Sequence, residues 1–315
     1  MTASAHGVDP QLRCRVCGSS EIEHWATAHD VEYRTSDAAF DYRRCSTCGL
    51  LFLDPPPTDR LDEIYPANYY AYVDDEISAV ERVKRLFDGR RLRRLLRQLP
   101  GDALRILDVG GADGSMLTLA RQADPRVHLT QIVDIDAGAE ASARRRGHEY
   151  FHGSIDEFAA PDRYDLVLLL NVLEHTADPG AVLAKLRDLL VPGGIVLVQT
   201  PNTDSLDARL FRHRDWGGYH CPRHWMLFER HSITRVAVEA GLHVQRFSYT
   251  QGAPFWTVSV LAELARRGRA RITPSRPVVE HPLFSALNAV FGAFDLVRAF
   301  AGAKTSQMIL ELAAA

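Results

Sequence analysis

The sequence predicts an α/β protein: a mostly parallel sheet flanked by helices, entered through a small cysteine-bearing ribbon. Three observations predict it. Leu104-Arg-Ile-Leu-Asp-Val-Gly-Gly-Ala-Asp-Gly114 is a short apolar run broken by Gly110, Gly111 and Gly114, and Ser115–Gln122 behind it has helical composition. Apolar runs and helical stretches then alternate from Val127 to Thr250, the pattern of βα units. Ahead of both stand two C-x-x-C-G motifs, Cys14-Arg-Val-Cys17-Gly18 and Cys45-Ser-Thr-Cys48-Gly49.

The whole chain sets limits on these readings. At 315 residues it holds one large domain or two smaller ones, and 46% hydrophobic residues with a net charge of −3 is ordinary for a globular protein. That charge gives no global attraction to nucleic acid. The first residues lack a basic segment followed by an apolar run, and no stretch has the uninterrupted apolar length of a membrane span. Four of the five cysteines lie in the two C-x-x-C pairs. Thiols in that pattern suit metal in a reducing cytoplasm better than disulfides.

Each knuckle presents two thiolates to one point, and together Cys14, Cys17, Cys45 and Cys48 suit tetrahedral Zn²⁺. A redox pair is the other reading of such cysteines. Four thiolates leave no open position, so this zinc is expected to be structural. The segment between the knuckles carries Ile22, Trp25, Val31, Tyr33 and Phe40 and is too short for its own core. Zinc would supply the missing folding energy, about 10–16 kcal/mol. A zinc ribbon is therefore expected over 1–57, leaving through the stiff Asp54-Pro-Pro-Pro57.

Residues 58–100 are expected to be a tyrosine-rich linker and a helix. Tyr65, Tyr69, Tyr70 and Tyr72 either pack the ribbon on the next domain or line an active site. Residues 78–99 have helical spacing and many arginines, among them Arg82, Arg91, Arg94 and Arg97. Such a run reads as a solvated face, or as a surface for phosphates.

The main domain is expected over 101–315. Leu104–Val109 is a buried strand, and the glycines after it let backbone approach a ligand beside a helix start. Val127–Val133 is the second strand, ending in Asp134-Ile-Asp136. An acid there, some twenty residues past a glycine turn, can hold ribose hydroxyls. Ala137–Arg146 is a helix, Glu149–Phe151 a short third strand, and Tyr164–Leu170 an apolar central fourth strand. Asp178-Pro179 opens a helix, and Ile195–Gln199 is the fifth strand.

In this order the motifs resemble those of class I S-adenosylmethionine (SAM)-dependent methyltransferases. The matching pieces are Leu107-Asp-Val-Gly-Gly-Ala-Asp-Gly114, Val133-Asp134, Tyr164-Asp-Leu-Val167, Asn171-Val-Leu-Glu-His175 and Leu190-Val-Pro-Gly-Gly194. The resemblance covers roughly residues 100–250 and implies a Rossmann-like seven-stranded sheet with strand seven antiparallel. Leu242–Thr250 then reads as strand six and Thr305–Leu312 as strand seven, with a helical insertion over 253–304. The cysteines resemble a narrower group: bacterial methyltransferases of sugars and natural products with a zinc ribbon before the SAM domain. That group carries a tyrosine-rich segment and a His-x-x-x-Phe motif, here His224-Trp-Met-Leu-Phe228. Arg223 stands where its sugar enzymes have glutamate, a departure that bears on C-methylation rather than on methyl transfer.

The resemblance implies roles residue by residue. Gly110, Gly111, Ala112 and Gly114 bring backbone to the amino-acid part of SAM, and Asp108 orients that loop. Asp134 takes the ribose hydroxyls, with Asp136 as the alternative and Ile135 between them. Ser154 and Ile155 flank adenine, and Asn171 and Val172 lie under the sulfonium. His224 is the expected general base, since an acceptor loses a proton as it attacks and histidine titrates near neutrality. His220 and Tyr70 are further catalytic candidates. Residues 203–232 mix histidines, arginines, aromatics and glycines as an acceptor loop would. His213, His220, Cys221 and His224 offer donors for a second metal, but Pro222 disfavours the helix that would align His220 with His224.

The expected function is methyl transfer from SAM to a small-molecule acceptor, a sugar, nucleotide sugar or other natural-product intermediate, with O-methylation first. One rival is a zinc-ribbon RNA base methyltransferase, opposed by the net acidity and by Asn171-Val-Leu-Glu174 where such enzymes have Asn-Pro-Pro-Tyr. The other is a non-enzymatic SAM-binding scaffold. Phe284, Leu287, Phe291, Phe294 and Val297 form an apolar helical stripe. It packs on the domain, or makes a dimer or membrane-surface contact through 282–303.

Overall fold

The structure, a computed structural model, describes residues 12–65 and 79–315. Tyr69, Tyr70 and Tyr72 lie outside the described residues. In chain order the elements are β1 (Ile22–Ala28), β2 (Phe40–Cys45), β3 (Leu51–Leu53), α1 (Leu61–Ile64) and α2 (Ala79–Leu96). Next come β4 (Leu104–Val109), α3 (Ser115–Ala123), β5 (Val127–Asp134), α4 (Glu140–Arg145), β6 (Glu149–His152), β7 (Tyr164–Leu170) and α5 (Pro179–Asp188). The remainder is β8 (Leu190–Pro201), α6 (Leu206–Phe211), β9 (Met226–Leu227), α7 (Arg230–Glu239), β10 (Leu242–Thr250), α8 (Ala253–Arg266), α9 (Phe284–Phe300) and β11 (Gln307–Ala314).

Seven strands form the main sheet in the order β10-β11-β8-β7-β4-β5-β6. Strands β4 to β8 pair in parallel, and β11 runs antiparallel to both β8 and β10. This is the predicted Rossmann-like sheet with its reversed last strand. The central strand shows why its sequence is apolar throughout. Alternate residues of β7 face opposite sides: Val167 and Leu169 pack with Leu183 of α5 and Val236 of α7, whereas Leu166 and Leu168 pack with Leu92 of α2 and Leu117 of α3. Each fully buried side chain of this kind contributes about 1.5–3 kcal/mol of burial energy. Helix starts are fixed locally: Asp178 accepts from the Ala181 N–H at 2.9 Å with Pro179 behind it, and Glu229 with Ser232 forms a capping box at α7.

The ribbon is not closed by its own residues. Its four-stranded sheet has the order β1-β2-β3-β9, and Leu51 and Phe52 of β3 pair with Leu227 and Met226 of β9. The last strand therefore comes from the loop that follows β8, far along the chain. Cys14, Cys45 and Cys48 share one apolar cluster with Phe228 and Ile233.

Helix α2 covers one side of the main sheet. Leu92, Leu95, Leu96 and Leu99 are buried beneath it, while Arg82, Arg90, Arg93 and Arg97 face solvent. Arg91 pairs with Asp88 at 3.3 Å and Arg94 with the buried Glu311, so two of the arginines are tied inward. In the insertion, the predicted stripe of α9 divides. Phe291 stacks on Trp256 of α8 at 5.3 Å between centroids, while Val297 is 70% exposed. Among the described residues no helix is long and apolar enough to cross a membrane.

Candidate functional site

At the carboxyl ends of β4 and β7 a cleft of about 820 Å³ opens between α2, the start of α3 and the two insertion helices. Its walls include Gly110, Gly111, Ala112, Asn171, Gln199 and Gln307. The glycine loop there admits no larger side chains. Gly110 has φ +72°, and a Cβ on it would lie 2.4 Å from Val172 Cγ2. A Cβ on Gly111 would lie 2.6 Å from Asp108 Cγ. The cradle thus presents bare backbone, as close approach of a ligand requires. Ala112 and Asn171 also hold positive φ, +46° and +56°, an uncommon state for residues with side chains that concentrates at functional sites. Along the floor Gln199 Nε2 donates to Gln307 Oε1 at 2.6 Å, and Gln307 Nε2 donates to Asn171 Oδ1 at 2.8 Å.

The acids around the loop differ in environment. Asp108 is fully buried beneath the glycines, and burial, with Asp134 and Asp113 nearby, pushes its carboxyl up to about 8. Asp134, at the end of β5, is engaged by backbone N–H groups. Its Oδ2 accepts from the Ala112 N–H at 2.8 Å and its Oδ1 from the Asp136 N–H at 2.9 Å, with the side chain buried. It pins the glycine loop to the sheet. Asp136, two residues on, is half-buried, and its Oδ1 accepts from the Gly138 N–H at 2.8 Å. Ile135 points outward, 61% exposed. Ser154 donates its hydroxyl to Glu157 at 2.9 Å, and Ile155 packs with Phe158 in the core. Gly114, φ +75°, starts α3 against His148.

Cys14, Cys17, Cys45 and Cys48 bring their sulfurs within 4.8 Å of one another, and all are free thiols. Cys14 Sγ lies 3.6 Å from Cys48 Sγ, and Cys17 Sγ lies 3.5 Å from Cys45 Sγ. Four mutually close sulfurs are a donor set that fits tetrahedral zinc.

A second cluster lies where the β7 tip, the 217–224 loop and the ribbon meet. His175 closes a 3₁₀ turn, Leu173–His175. Its ring lies 4.7 Å from that of His224 and 6.1 Å from that of His220, and His220 and His224 are 4.9 Å apart. His224 Nδ1 lies 2.8 Å from the Gly218 carbonyl, so that nitrogen carries the proton and Nε2 a lone pair. Nε2 faces Glu174 Oε1 at 3.9 Å. Burial, with His175 and His220 beside it, holds His224 well below the ordinary imidazole value, and burial with His220 holds His175 down at about 3. Burial pushes the Glu174 carboxyl up to about 8. His220 differs: its Nδ1 meets Glu32 Oε1 of the ribbon at 2.9 Å, and its backbone sits at φ +38°. Tyr65 Oη lies 3.1 Å from His175 Nδ1. His213 is exposed, and Cys221 is buried, its thiol pushed up by that burial.

The ribbon holds this loop in place. Arg223, the residue that departs from the sugar enzymes, is turned into the ribbon, where Nη2 donates to Asp30 Oδ2 at 2.9 Å with both side chains fully buried. Tyr42 Oη donates to the carbonyls of Tyr219 and His224, each at 3.0 Å. Sequence reasoning passed over Asp30, Glu32, Gln199 and Gln307. Nothing marked Asp30 and Glu32 out, since Glu21, Glu23, Asp37 and Asp41 lie between the same knuckles.

The family described as Methyltransferase domain matches residues 79–246, more than half of the chain. The ubiquinone biosynthesis O-methyltransferase of Dinoroseobacter shibae is 38% identical over 113 residues, 33% of this chain and 43% of that protein. The protein of the same name from Cereibacter sphaeroides is 33% identical over 120 residues, 35% of this chain and 46% of its own. The chain thus spans under half the length of these curated relatives. A coclaurine N-methyltransferase solved with N-methylheliamine and SAH superposes with a TM-score of 0.50 at 13% identity, covering 82% of this chain and 80% of that one. At that identity the likeness is one of fold.

Proposed function

This chain belongs to the methyltransferase-domain family, and we propose that it is a SAM-dependent enzyme that methylates an oxygen of a small-molecule acceptor. The carrying observation is the side-chain-free cradle of Gly110 and Gly111 facing Asn171 across the cleft. SAM, when bound, supplies an electrophilic methyl group on a sulfonium. The chain contributes alignment, and holding reactants in line is worth several powers of ten in rate. Gly110, Gly111 and Ala112 give backbone to the amino-acid end, Asn171 and Val172 flank the reacting end, and Ser154 with Ile155 borders the adenine. The ribose hydroxyls are assigned to Asp136, the more open of the two acids, since Asp134 is buried and each of its oxygens already accepts one loop N–H.

Of the expected catalytic histidines, His220 suits the base better than His224. A base must keep the proton that it takes. Glu32 accepts from His220 Nδ1, so Nε2 is the nitrogen that takes the proton, and the carboxylate stabilises the imidazolium. An imidazolium at His224 would be buried among two more histidines. Oxygen as the acceptor atom agrees with the names of the curated relatives, and sugars, nucleotide sugars and other natural-product intermediates remain the acceptor class. The four ribbon cysteines hold one structural zinc.

The test is methyl-labelled SAM with a panel of hydroxylated sugars, nucleotide sugars and phenols, followed by mass analysis, beside calorimetry with SAH. Labelled ether product in any class supports the reading. SAH binding without transfer to any metabolite would favour a scaffold, and absence of SAH binding overturns the assignment. Metal analysis of the purified chain should find one tightly held zinc.

A further inference from the structure

We propose that Glu174, His175 and His224 form a binding site for a divalent first-row transition-metal ion, separate from the cysteine cluster. One donor atom from each lies within 4.8 Å of the other two. All three residues are held by bonds that leave electron pairs facing inward. His224 Nδ1 is engaged by the Gly218 carbonyl and His175 Nδ1 by the Arg223 carbonyl, at 2.8 and 3.1 Å. Carbonyls only accept, so both rings keep the proton on Nδ1 and a lone pair on Nε2, and Tyr65 Oη, 3.1 Å from His175 Nδ1, shares that proton as a second acceptor. Glu174 Oε2 accepts from Thr200 at 3.0 Å, whereas its Oε1 is buried without a hydrogen-bond partner among the described residues.

A buried carboxylate oxygen without a partner is costly, and an explanation for it is required. A proton on Oε1 does not supply one, because His224 Nε2 is 3.9 Å away, too far for a direct hydrogen bond. A water molecule has two hydrogens for three acceptors. A cation meets all three at once. Two imidazoles, each oriented by a hydrogen bond from its other nitrogen, with one carboxylate, are the donor set of facial metal sites with open positions. Imidazole donors select first-row transition ions over Mg²⁺ or Ca²⁺. Arg223, whose charge acts on both imidazoles, is neutralised by Asp30. The ring of His220 lies 4.9 Å from that of His224, so an ion here would hold an acceptor oxygen beside the proposed base. That last step rests on the methyl-transfer reading, whereas metal binding itself does not.

The test uses the full chain with its ribbon zinc in place, and Co²⁺ alone as the probe, with no SAM present. One further equivalent of Co²⁺ is expected, with ligand-field absorption but no thiolate-to-cobalt charge-transfer band. Glu174→Gln and His224→Gln should each weaken that binding at least about 100-fold, with the zinc retained. In wild type the Co²⁺ form should show two exchangeable, hyperfine-shifted imidazole N–H signals, from His175 and His224. No second equivalent in the wild-type chain, or a second equivalent without those two signals, overturns the proposal, whichever way the variants fold. Failure of methyl transfer with the second equivalent intact would count against the enzyme reading alone.

Discussion

The cofactor cleft and the histidine cluster are built by opposite means. The cleft is backbone: Gly110, Gly111 and Ala112 in one turn, with Asp134 pinning it from beneath. The cluster is side chains carried by separate segments: Glu32 from the ribbon, Tyr65 after it, Glu174 and His175 from the β7 tip, His220 and His224 from a late loop. The difference teaches that the first can vary little in sequence, whereas the second can be rebuilt one residue at a time.

Substitutions should therefore separate the two regions. The largest effect is expected for Gly110→Val, which puts a branched side chain at positive φ against Val172. SAH binding should fall below detection in calorimetry, and retained affinity would break the backbone account. His220→Ala should slow methyl transfer about 10²–10⁴-fold with SAH affinity unchanged. A matched loss of affinity would mean the two regions are not separable. Asp30→Ala strands a buried guanidinium and should cost about 3–5 kcal/mol in urea unfolding, with the histidine loop loosened first. Asp136→Ala should weaken SAH binding about tenfold, near 1.4 kcal/mol, and a full loss would return the ribose to Asp134.

A separate effect is electrostatic. Asp108 binds its proton up to about pH 8 in the folded chain but only to about pH 4 when unfolded. Between those values the folded state holds more protons, so stability falls as pH rises through that window. Asp108→Asn should flatten this part of the stability profile, measured by thermal unfolding of the ligand-free chain. An unchanged slope would show that another group carries it.

Legibility in the sequence follows the same division. The sheet could be read because each strand is buried on both faces or bounded by glycine, and the cradle because only glycine fits it. The four cysteines were readable from spacing alone. Asp134 was read as the ribose acid with Asp136 as the alternative, and the backbone bonds that engage Asp134 could not be read, because they depend on how the loop folds back onto the strand end. The Glu32–His220 pair was invisible because its members are 188 positions apart and meet only when the ribbon folds onto the loop. Arg223 read as a departure at a reactive position, whereas its side chain serves the buried pair with Asp30.

One consequence follows from the strand that the ribbon sheet takes from residues 226–227. Leu53 N–H donates to the Trp225 carbonyl, and Trp225 N–H donates to the Glu174 carbonyl, so a single thread of hydrogen bonds runs from the cysteine knuckles to the acids and imidazoles. The ribbon cannot be clipped off or exchanged between enzymes like a bead on a string. A truncated second half would expose the raw edge of β9 and lose Asp30 and Glu32 together, stranding the buried guanidinium of Arg223 and stripping His220 of its carboxylate partner.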